Sequence, residues 1–378
     1  MRERIGILGG VFDPVHNGHI LLARAAKEEL HLDRVVLLPS GNPPHKHPHV
    51  ETEDRLNMLL LAVEDGMVVS RREIQRSGKT YTVDTLSEMR REFPEAEIFY
   101  IIGADTLSQL KTWKDFDRVA QMCTFAVFAR PGAEGEAPAN ARVLRLRTPG
   151  PDISSTAVRA SASRREDLCA LVPGPVARYI RENGLYLMNI SLRQARELLR
   201  ECLSAHRFKH TLGVMETARR LSALHGADCA AAGVAGLLHD AAKSLDLAEM
   251  RKLVSKAKIS VDPLEWESVS LLHAAAGVAI AMRDFGVCDP EILSSIRRHT
   301  LGGPNMQPLD LILYLADFIE PNREDFPGLA QVRALAERDL RKAALRAAEL
   351  TEEYVRQSGG KPHPGTAELI KELRGEMR

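Results

Sequence analysis

Gly9-Gly10-Val11-Phe12-Asp13-Pro14-Val15-His16-Asn17-Gly18-His19 follows an apolar run, Arg4-Ile5-Gly6-Ile7-Leu8, and precedes Ile20-Leu21-Leu22-Ala23-Arg24-Ala25-Ala26. The first flank reads as a short buried strand and the second as a helix. Strand, glycine-rich turn, helix is the arrangement that aims backbone N–H groups and the positive end of a helix at a phosphate. Gly9 and Gly10 let the main chain approach a ligand without a Cβ in the way. His16 and His19, at the mouth of the helix, are placed to donate hydrogen bonds to phosphate oxygens as negative charge builds up. The turn holds no cysteine, lysine or P-loop pattern. The chemistry it predicts is positioning and electrostatic stabilisation of a phosphoryl group, without a covalent intermediate.

Outward from that turn, strand-like and helix-like segments alternate to about residue 130. Strands are predicted over 34–39, 67–69, 97–103 and 124–129, and helices over 53–64 and 83–93. A last strand over 143–146, a helix opened by Ile153-Ser154-Ser155-Thr156-Ala157-Val158-Arg159 and another over 175–183 complete the first half. The alternation predicts an α/β fold, a doubly wound, Rossmann-like parallel sheet with helices on both faces. In such sheets ligands collect at the carboxyl ends of the strands. From Ser191 onward helical periodicity takes over, across 191–203, 206–225, 228–243, 246–257, 268–285, 289–300, 308–320, 332–357 and 366–377, which predicts an all-α domain. The domains are expected at 1–188 and 189–378, two being the number that 378 residues suggest.

Fifty-one basic residues balance fifty-one acidic ones, so bulk charge argues for no nucleic-acid or membrane-surface partner. Cys123, Cys169, Cys202, Cys229 and Cys288 are scattered and odd in number, which fits reduced thiols in a cytoplasm better than a disulfide framework. The chain enters a strand at once and contains no apolar run of the ~20 residues a membrane span needs. The expectation is a cytoplasmic protein without a secretory leader. Homo-oligomerisation is left open.

The helical half has its own centre. His210, the adjacent pair His239 and Asp240, His273, His299 and Asp317 lie in separate helical segments, several within apolar stretches such as Leu237-Leu238-His239-Asp240 and Tyr314-Leu315-Ala316-Asp317-Phe318. Imidazole and carboxylate suit intermediate metals such as Fe, Mn and Zn. Six such groups facing one bundle interior are costly to bury unless something pairs them, and a metal centre does so.

The opening turn resembles the HxGH signature of the nucleotidyltransferase superfamily, carried by His16-Asn17-Gly18-His19. Gly41-Asn42-Pro43-Pro44-His45-Lys46 is similar to a PPHK loop, Lys79-Thr80-Tyr81-Thr82-Val83-Asp84-Thr85-Leu86 to a YTxDTL segment, and Ile102-Gly103-Ala104-Asp105 with Leu110 and Trp113 to a GAD…LxxW segment. With Ala129-Arg130-Pro131-Gly132 and the Ile153–Arg159 block, these motifs resemble the bacterial nicotinate-mononucleotide adenylyltransferases. The resemblance implies that ATP and nicotinate mononucleotide are substrates, with Mg²⁺ on the phosphates. It implies His16, His19, Lys46 and Arg159 as catalytic residues. Gly9, Gly10, Phe12, Gly103, Asp105, Ile153, Ser154 and Ser155 join His16, His19 and Arg159 around ATP. Thr82, Thr85, Trp113 and Arg130 hold the nicotinate end. Nicotinamide mononucleotide is the competing acceptor.

In the second half, His210, His239, Asp240 and Asp317 match the H…HD…D pattern of the HD phosphohydrolase superfamily. His206–Val214, His239-Asp240-Ala241-Ala242-Lys243, Arg297-Arg298-His299-Thr300 and Ala316–Arg323 are similar to bacterial HD-domain hydrolases that cut diadenosine tetraphosphate symmetrically to two ADP. That resemblance implies two metal ions, iron, held by His210, His239, Asp240, His273, His299 and Asp317 with Asp240 able to bridge. Lys243, Arg297 and Arg323 are the phosphate contacts it suggests. A general nucleotide phosphatase and a non-catalytic nucleotide sensor are the other readings of this half.

Overall fold

The computed structural model describes residues 2–42, 48–129, 136–150 and 152–376. By its contacts the chain divides into two units, one of residues 1–162 and 166–180, the other of residues 163–165 and 181–378.

The first unit is built on six parallel strands: β1 (Arg4–Gly10), β2 (Arg34–Pro39), β3 (Met67–Val69), β4 (Glu97–Gly103), β5 (Thr124–Phe128) and β6 (Val143–Leu146). Their order, β3-β2-β1-β4-β5-β6, means that the chain winds outward from β1 in one direction, then returns to lay β4 on its other side. The helices between are α1 (Asn17–Glu29), α2 (Thr52–Ala62), α3 (Thr82–Glu92), α4 (Ala104–Leu107) and α5 (Phe116–Met122), followed after β6 by α6 (Ser155–Ser163) and α7 (Gly174–Glu182). Ile5, Ile7 and Leu8 of β1 are buried, as a central parallel strand covered on both faces requires. The predicted doubly wound sheet is thus observed. The crevice at its point of reversal lies beyond the carboxyl ends of β1 and β4, where the glycine turn and Gly103 are found.

The second unit is helical: α8 (Leu192–Cys202), α9 (Ala205–His225), α10 (Cys229–Leu238), α11 (Leu247–Ala257), α12 (Pro263–Trp266), α13 (Val269–Asp284), α14 (Pro290–Arg298), α15 (Pro308–Ile319), α16 (Leu329–Ala336), α17 (Leu340–Gln357) and α18 (Pro364–Glu376). Two sequence expectations need correction. The helix expected over 332–357 is broken, because the Asp339 carboxylate accepts hydrogen bonds from the amides of Arg341 and Lys342 and caps a new helix there. The helix expected over 228–243 stops at Leu238. Beyond it the amides of Ala241 and Lys243 bond to the carbonyls of Leu238 and Asp240, three residues back, so His239 and Asp240 sit on a tightened turn.

Helix α10 is nearly all alanine, glycine and leucine and is buried along most of its length. At Gly236 a Cβ would stand 2.7 Å from Cα of Met215, so only glycine permits this approach of α10 to α9. His239 follows Gly236 by three residues and His210 precedes Met215 by five. The close crossing is what brings those two histidines together.

Candidate active sites

In the first unit, Gly9 and Gly10 end β1, and His16 is the N-cap of α1. The His16 amide donates to Nδ1 of His19 at 3.2 Å, and the two rings stack with centroids 3.6 Å apart. Phe12, buried, meets the His19 ring edge-on at 4.9 Å. The start of α6 closes on the same turn: Ser155 Oγ donates to the carbonyl of Pro14 at 3.0 Å, and Arg159 Nη1 to the carbonyl of Asp13 at 2.6 Å. Arg159 Nη2 also donates to Thr156 Oγ1 at 3.2 Å. Ser154 Oγ accepts from the amide of Ala157 at 3.2 Å, just after Ile153. Two helix N-termini, a pair of stacked imidazoles and a guanidinium therefore share one turn, an assembly suited to a polyanion.

Gly103 ends β4 and Asp105 is exposed in the first turn of α4. Trp113 packs edge-on to Tyr100 at 5.6 Å and to Phe125 at 6.2 Å. Thr82 is the first residue of α3. Thr85 is fully enclosed. Its hydroxyl donates to Glu73 Oε1 at 2.8 Å and accepts from Arg76 Nη1 at 3.1 Å, which ties α3 to the segment after β3. Burial holds the Glu73 carboxyl above its usual range against the opposing bond from Thr85. Lys46 and Arg130 lie outside the described residues.

Sequence reasoning missed Arg55. It is fully buried, and Nη1 donates to the carbonyls of Val11 and Ser40, both at 2.8 Å. It clamps the phosphate-type turn to the end of β2. On a helix that reads as amphipathic it looks like any surface charge, so no local signal marks it.

In the second unit the six expected groups converge. His210 stands on α9, His273 on α13 and Asp317 on α15, while His239 and His299 follow the last residues of α10 and α14. His210 Nε2 is 3.1 Å from Asp317 Oδ1 and 4.0 Å from Asp240 Oδ2. His239 Nε2 is 3.7 Å from Asp240 Oδ2 and 3.9 Å from Asp317 Oδ1. The other oxygen of Asp240, Oδ1, faces His273 Nε2 at 3.3 Å and His299 Nε2 at 3.8 Å. One carboxylate thus stands between two pairs of imidazoles.

The outer nitrogens of three of these rings are tied down. His239 Nδ1 is 2.8 Å from the carbonyl of Gly236, and His299 Nδ1 is 2.7 Å from that of Ile296. His210 Nδ1 is 3.2 Å from Glu320 Oε1. Each bond assigns the proton to Nδ1 and leaves the Nε2 lone pair directed inward. His239 Nε2, fully buried, finds no hydrogen-bond partner among the described residues. An inward lone pair among carboxylates, otherwise costly to bury, is what a metal ligand provides.

The charges agree. Burial and the neighbouring His239 push His299 down to about 4. Burial, with His299 and Lys243, takes His273 well below its usual value. Burial opposes charge on His210, but the bond and charge of Asp317, with Glu320, outweigh it and raise its pKa. Burial alone would protonate the two aspartates. His239 and Lys243 hold Asp240 low, and His210 and His239 hold Asp317 low.

Lys243 Nζ lies 3.0 Å from His273 Nε2 and 3.7 Å from Asp240 Oδ1, and Arg323 Nη1 lies 3.9 Å from Asp317 Oδ1. Both line a cavity of about 1190 Å³ that opens onto the cluster. The expectation for Arg297 is corrected. It precedes His299 by two residues, some 200° around the helix, and its guanidinium grips buried Glu265 at 2.6 and 2.7 Å, away from the cavity wall. Arg207 lines the cavity and donates to Asp240 Oδ2 at 3.0 Å. It sits three residues before His210, and that helical spacing is the signal that would have found it.

A doubly wound unit with an imidazole-bearing phosphate turn, joined to a helical unit with an H…HD…D cluster, defines a nucleotidyltransferase–HD two-domain protein. Residues 7–161 match the cytidylyltransferase-like family and residues 207–322 the HD domain. Two Mycoplasma proteins, from M. genitalium and M. pneumoniae, are named probable nicotinate-nucleotide adenylyltransferase/Ap4A hydrolase. Each is 30% identical to this chain, over 365 and 360 residues, covering 94% and 93% of it and 98% of each relative. A probable nicotinate-nucleotide adenylyltransferase of Thermus thermophilus is 44% identical over 185 residues, 48% of this chain and 99% of that protein. The chain belongs to the family of these fused adenylyltransferase/hydrolase proteins.

Proposed function

We propose that the chain is a bifunctional enzyme of nucleotide metabolism. Its first half, residues 1–188, transfers AMP from ATP to nicotinate mononucleotide, giving nicotinate adenine dinucleotide and pyrophosphate. Its second half, residues 189–378, hydrolyses diadenosine tetraphosphate to two ADP. Family membership over nearly the whole chain supports both activities. For the hydrolase, the carrying observation is the Asp240 carboxylate set between two pairs of inward-facing imidazoles.

In the transferase, a phosphate oxygen of nicotinate mononucleotide attacks the α-phosphorus of ATP, and the bond to the β-phosphate oxygen breaks. The nucleophile is already an anion, so alignment and charge neutralisation are the requirements. His16 and His19 donate to the α- and β-phosphates. Ser154, Ser155 and the amides of α6 cradle the chain of phosphates beside Gly9, Gly10 and Phe12. Arg159 and Lys46 supply fixed and movable positive charge. Gly103, Asp105 and Ile153 border the adenosine, and Thr82, Thr85, Trp113 and Arg130 the pyridine end. Mg²⁺ neutralises phosphate charge when bound.

In the hydrolase, water adds to a central phosphorus and one P–O–P bond breaks, leaving ADP on each side. His210, His239 and Asp317 would hold one ion and His273 and His299 the other, with Asp240 within reach of both sets. Two ions held there, proposed to be iron, would lower the pKa of a water and polarise the phosphate. Lys243, Arg323 and Arg207 hold the phosphate oxygens. The location proposed for both activities is the cytoplasm.

The test is product analysis on the purified chain. With ATP and both mononucleotides, nicotinate adenine dinucleotide is the expected product, and preference for the amide would overturn the substrate assignment. With diadenosine tetraphosphate and metal, two ADP are expected. AMP-containing products indicate a general phosphatase, and no turnover by a metal-loaded chain indicates a sensor. His16→Ala is expected to abolish only the first reaction and Asp240→Ala only the second.

A further inference from the structure

The cavity over the HD cluster exceeds the usual upper size of about 1000 Å³ for a drug-sized ligand pocket. Part of its wall is a single face of α17, carrying Arg346, Leu350, Thr351, Glu353, Tyr354 and Gln357 at helical spacing, with Glu353 paired to Arg346 at 3.6 Å. At 1.5 Å per residue that face is about 16 Å long. Tyr354 is 70% exposed, the highest value among the large exposed apolar and aromatic side chains noted in the described residues. Thr351 and Tyr314, the latter one turn before Asp317 on α15, line the same cavity, where α15 packs against α17. Tyr354 therefore stands one turn further along α17 from a point anchored beside the metal-ligand helix.

We propose that this face of α17 is the subsite for one nucleoside of the dinucleoside polyphosphate, with its base stacked on Tyr354. The inference rests on the hydrolase reading above. A symmetric cut leaves one nucleoside and a diphosphate on each side of the cleaved P–O–P bond, so the substrate needs a platform set back from the metals. An open tyrosine ring is such a platform. Leu350 extends the apolar surface along the helix, and the amides of Gln331 and Gln357 line the same cavity, where they suit the polar edge of a base. Arg323, over the Phe318 ring at 5.8 Å, covers the intervening diphosphate.

The test uses the intact metal-loaded chain. Tyr354→Ala is expected to raise KM for diadenosine tetraphosphate about ten- to a hundredfold with kcat little changed. Hydrolysis of p-nitrophenyl phosphate, which has no nucleoside, stays as in the parent, and Tyr354→Phe keeps the parent KM. The inhibition constant of the dinucleotide against p-nitrophenyl phosphate hydrolysis reads the subsite even if the dinucleotide is not cut, which separates failure of the subsite from failure of the hydrolase reading. Tyr354→Trp reads it without catalysis: adenosine diphosphate is expected to quench the added emission and inorganic tripolyphosphate is not. Equal KM and inhibition constants in Tyr354→Ala and the parent, an equal loss on both substrates, or no base-dependent quenching would overturn the proposal.

Discussion

His210 Nδ1 lies 3.2 Å from Glu320 Oε1, so a histidine of the HD cluster takes its orientation from a carboxylate that is itself 1% exposed. The second oxygen of Glu320 accepts from the amide and side chain of Asn322 at 2.7 and 3.0 Å. Gly213, one turn after His210 on α9, leaves the space: a Cβ there would collide with that same oxygen. The carboxylate is held from three directions and fixes the tautomer that aims His210 Nε2 at Asp317.

Glu320→Ala is therefore expected to weaken divalent-metal binding about ten- to a hundredfold, and Glu320→Gln less, because the amide oxygen still accepts from Nδ1. Gly213→Ala is expected to act in the same direction by displacing the carboxylate. Competition against a chromogenic chelator reads all three, and unchanged affinity in Glu320→Ala would remove the positioning role.

Arg159 anchors α6 to the turn that bears His16 through the Asp13 carbonyl. Arg159→Ala is expected to lower kcat for adenylyl transfer about a hundredfold or more, the scale of losing one fixed donor at a phosphoryl group. Arg159→Lys restores only part of it, because an ammonium cannot reach the Asp13 carbonyl and Thr156 in the same fork. Steady-state kinetics with both variants checks this, and full activity in Arg159→Lys would contradict it.

Arg207 and Arg297 are expected to behave oppositely. Arg207→Ala removes a cation from the cavity and lowers hydrolysis. Arg297→Ala leaves the buried Glu265 carboxylate without its guanidinium and costs about 1–3 kcal/mol of stability, with kcat retained. Thermal melts paired with rates separate the two, and a loss of kcat without loss of stability in Arg297→Ala would return it to the site.

Much of this was readable from the chain. The inner strands show as short apolar runs because a parallel sheet covered on both faces buries nearly every side chain, while the edge strands β3 and β6 are mostly apolar but partly exposed. His239, Asp240, His273 and Asp317 show because a histidine or aspartate in an apolar helical stretch is conspicuous, and His210 and His299 show through their place in the H…HD…D resemblance and its neighbouring motif. Arg55 and Glu320 did not show. Each acts by filling a buried polar gap that exists only after distant segments fold together, and each reads locally as a surface charge. The break at Asp339 was hidden because helical periodicity runs on either side of it, and only the cap geometry marks the restart. Arg297, suggested as a phosphate contact only by the resemblance, instead grips Glu265, a partner that the folded helices alone bring to it.

The cluster also predicts a pH dependence for the metal-free chain. Burial and His239 lower His299 from its ordinary 6.5 to about 4. Between those values the unfolded chain takes up a proton that the folded chain refuses, so this group's contribution is intact above about 6.5 and is lost as pH falls toward 4. His299→Asn is expected to flatten the fall in melting temperature over that window. An unaltered slope would show that His299 is not buried neutral.

The most direct measurement is metal stoichiometry by elemental analysis of the purified, reconstituted intact chain. The arrangement of Asp240 between two imidazole pairs predicts two ions per chain, both weakened by Asp240→Ala, with His273→Ala lowering the number to one. A parent chain that holds no ion, or one that Asp240→Ala leaves fully loaded, would contradict the account.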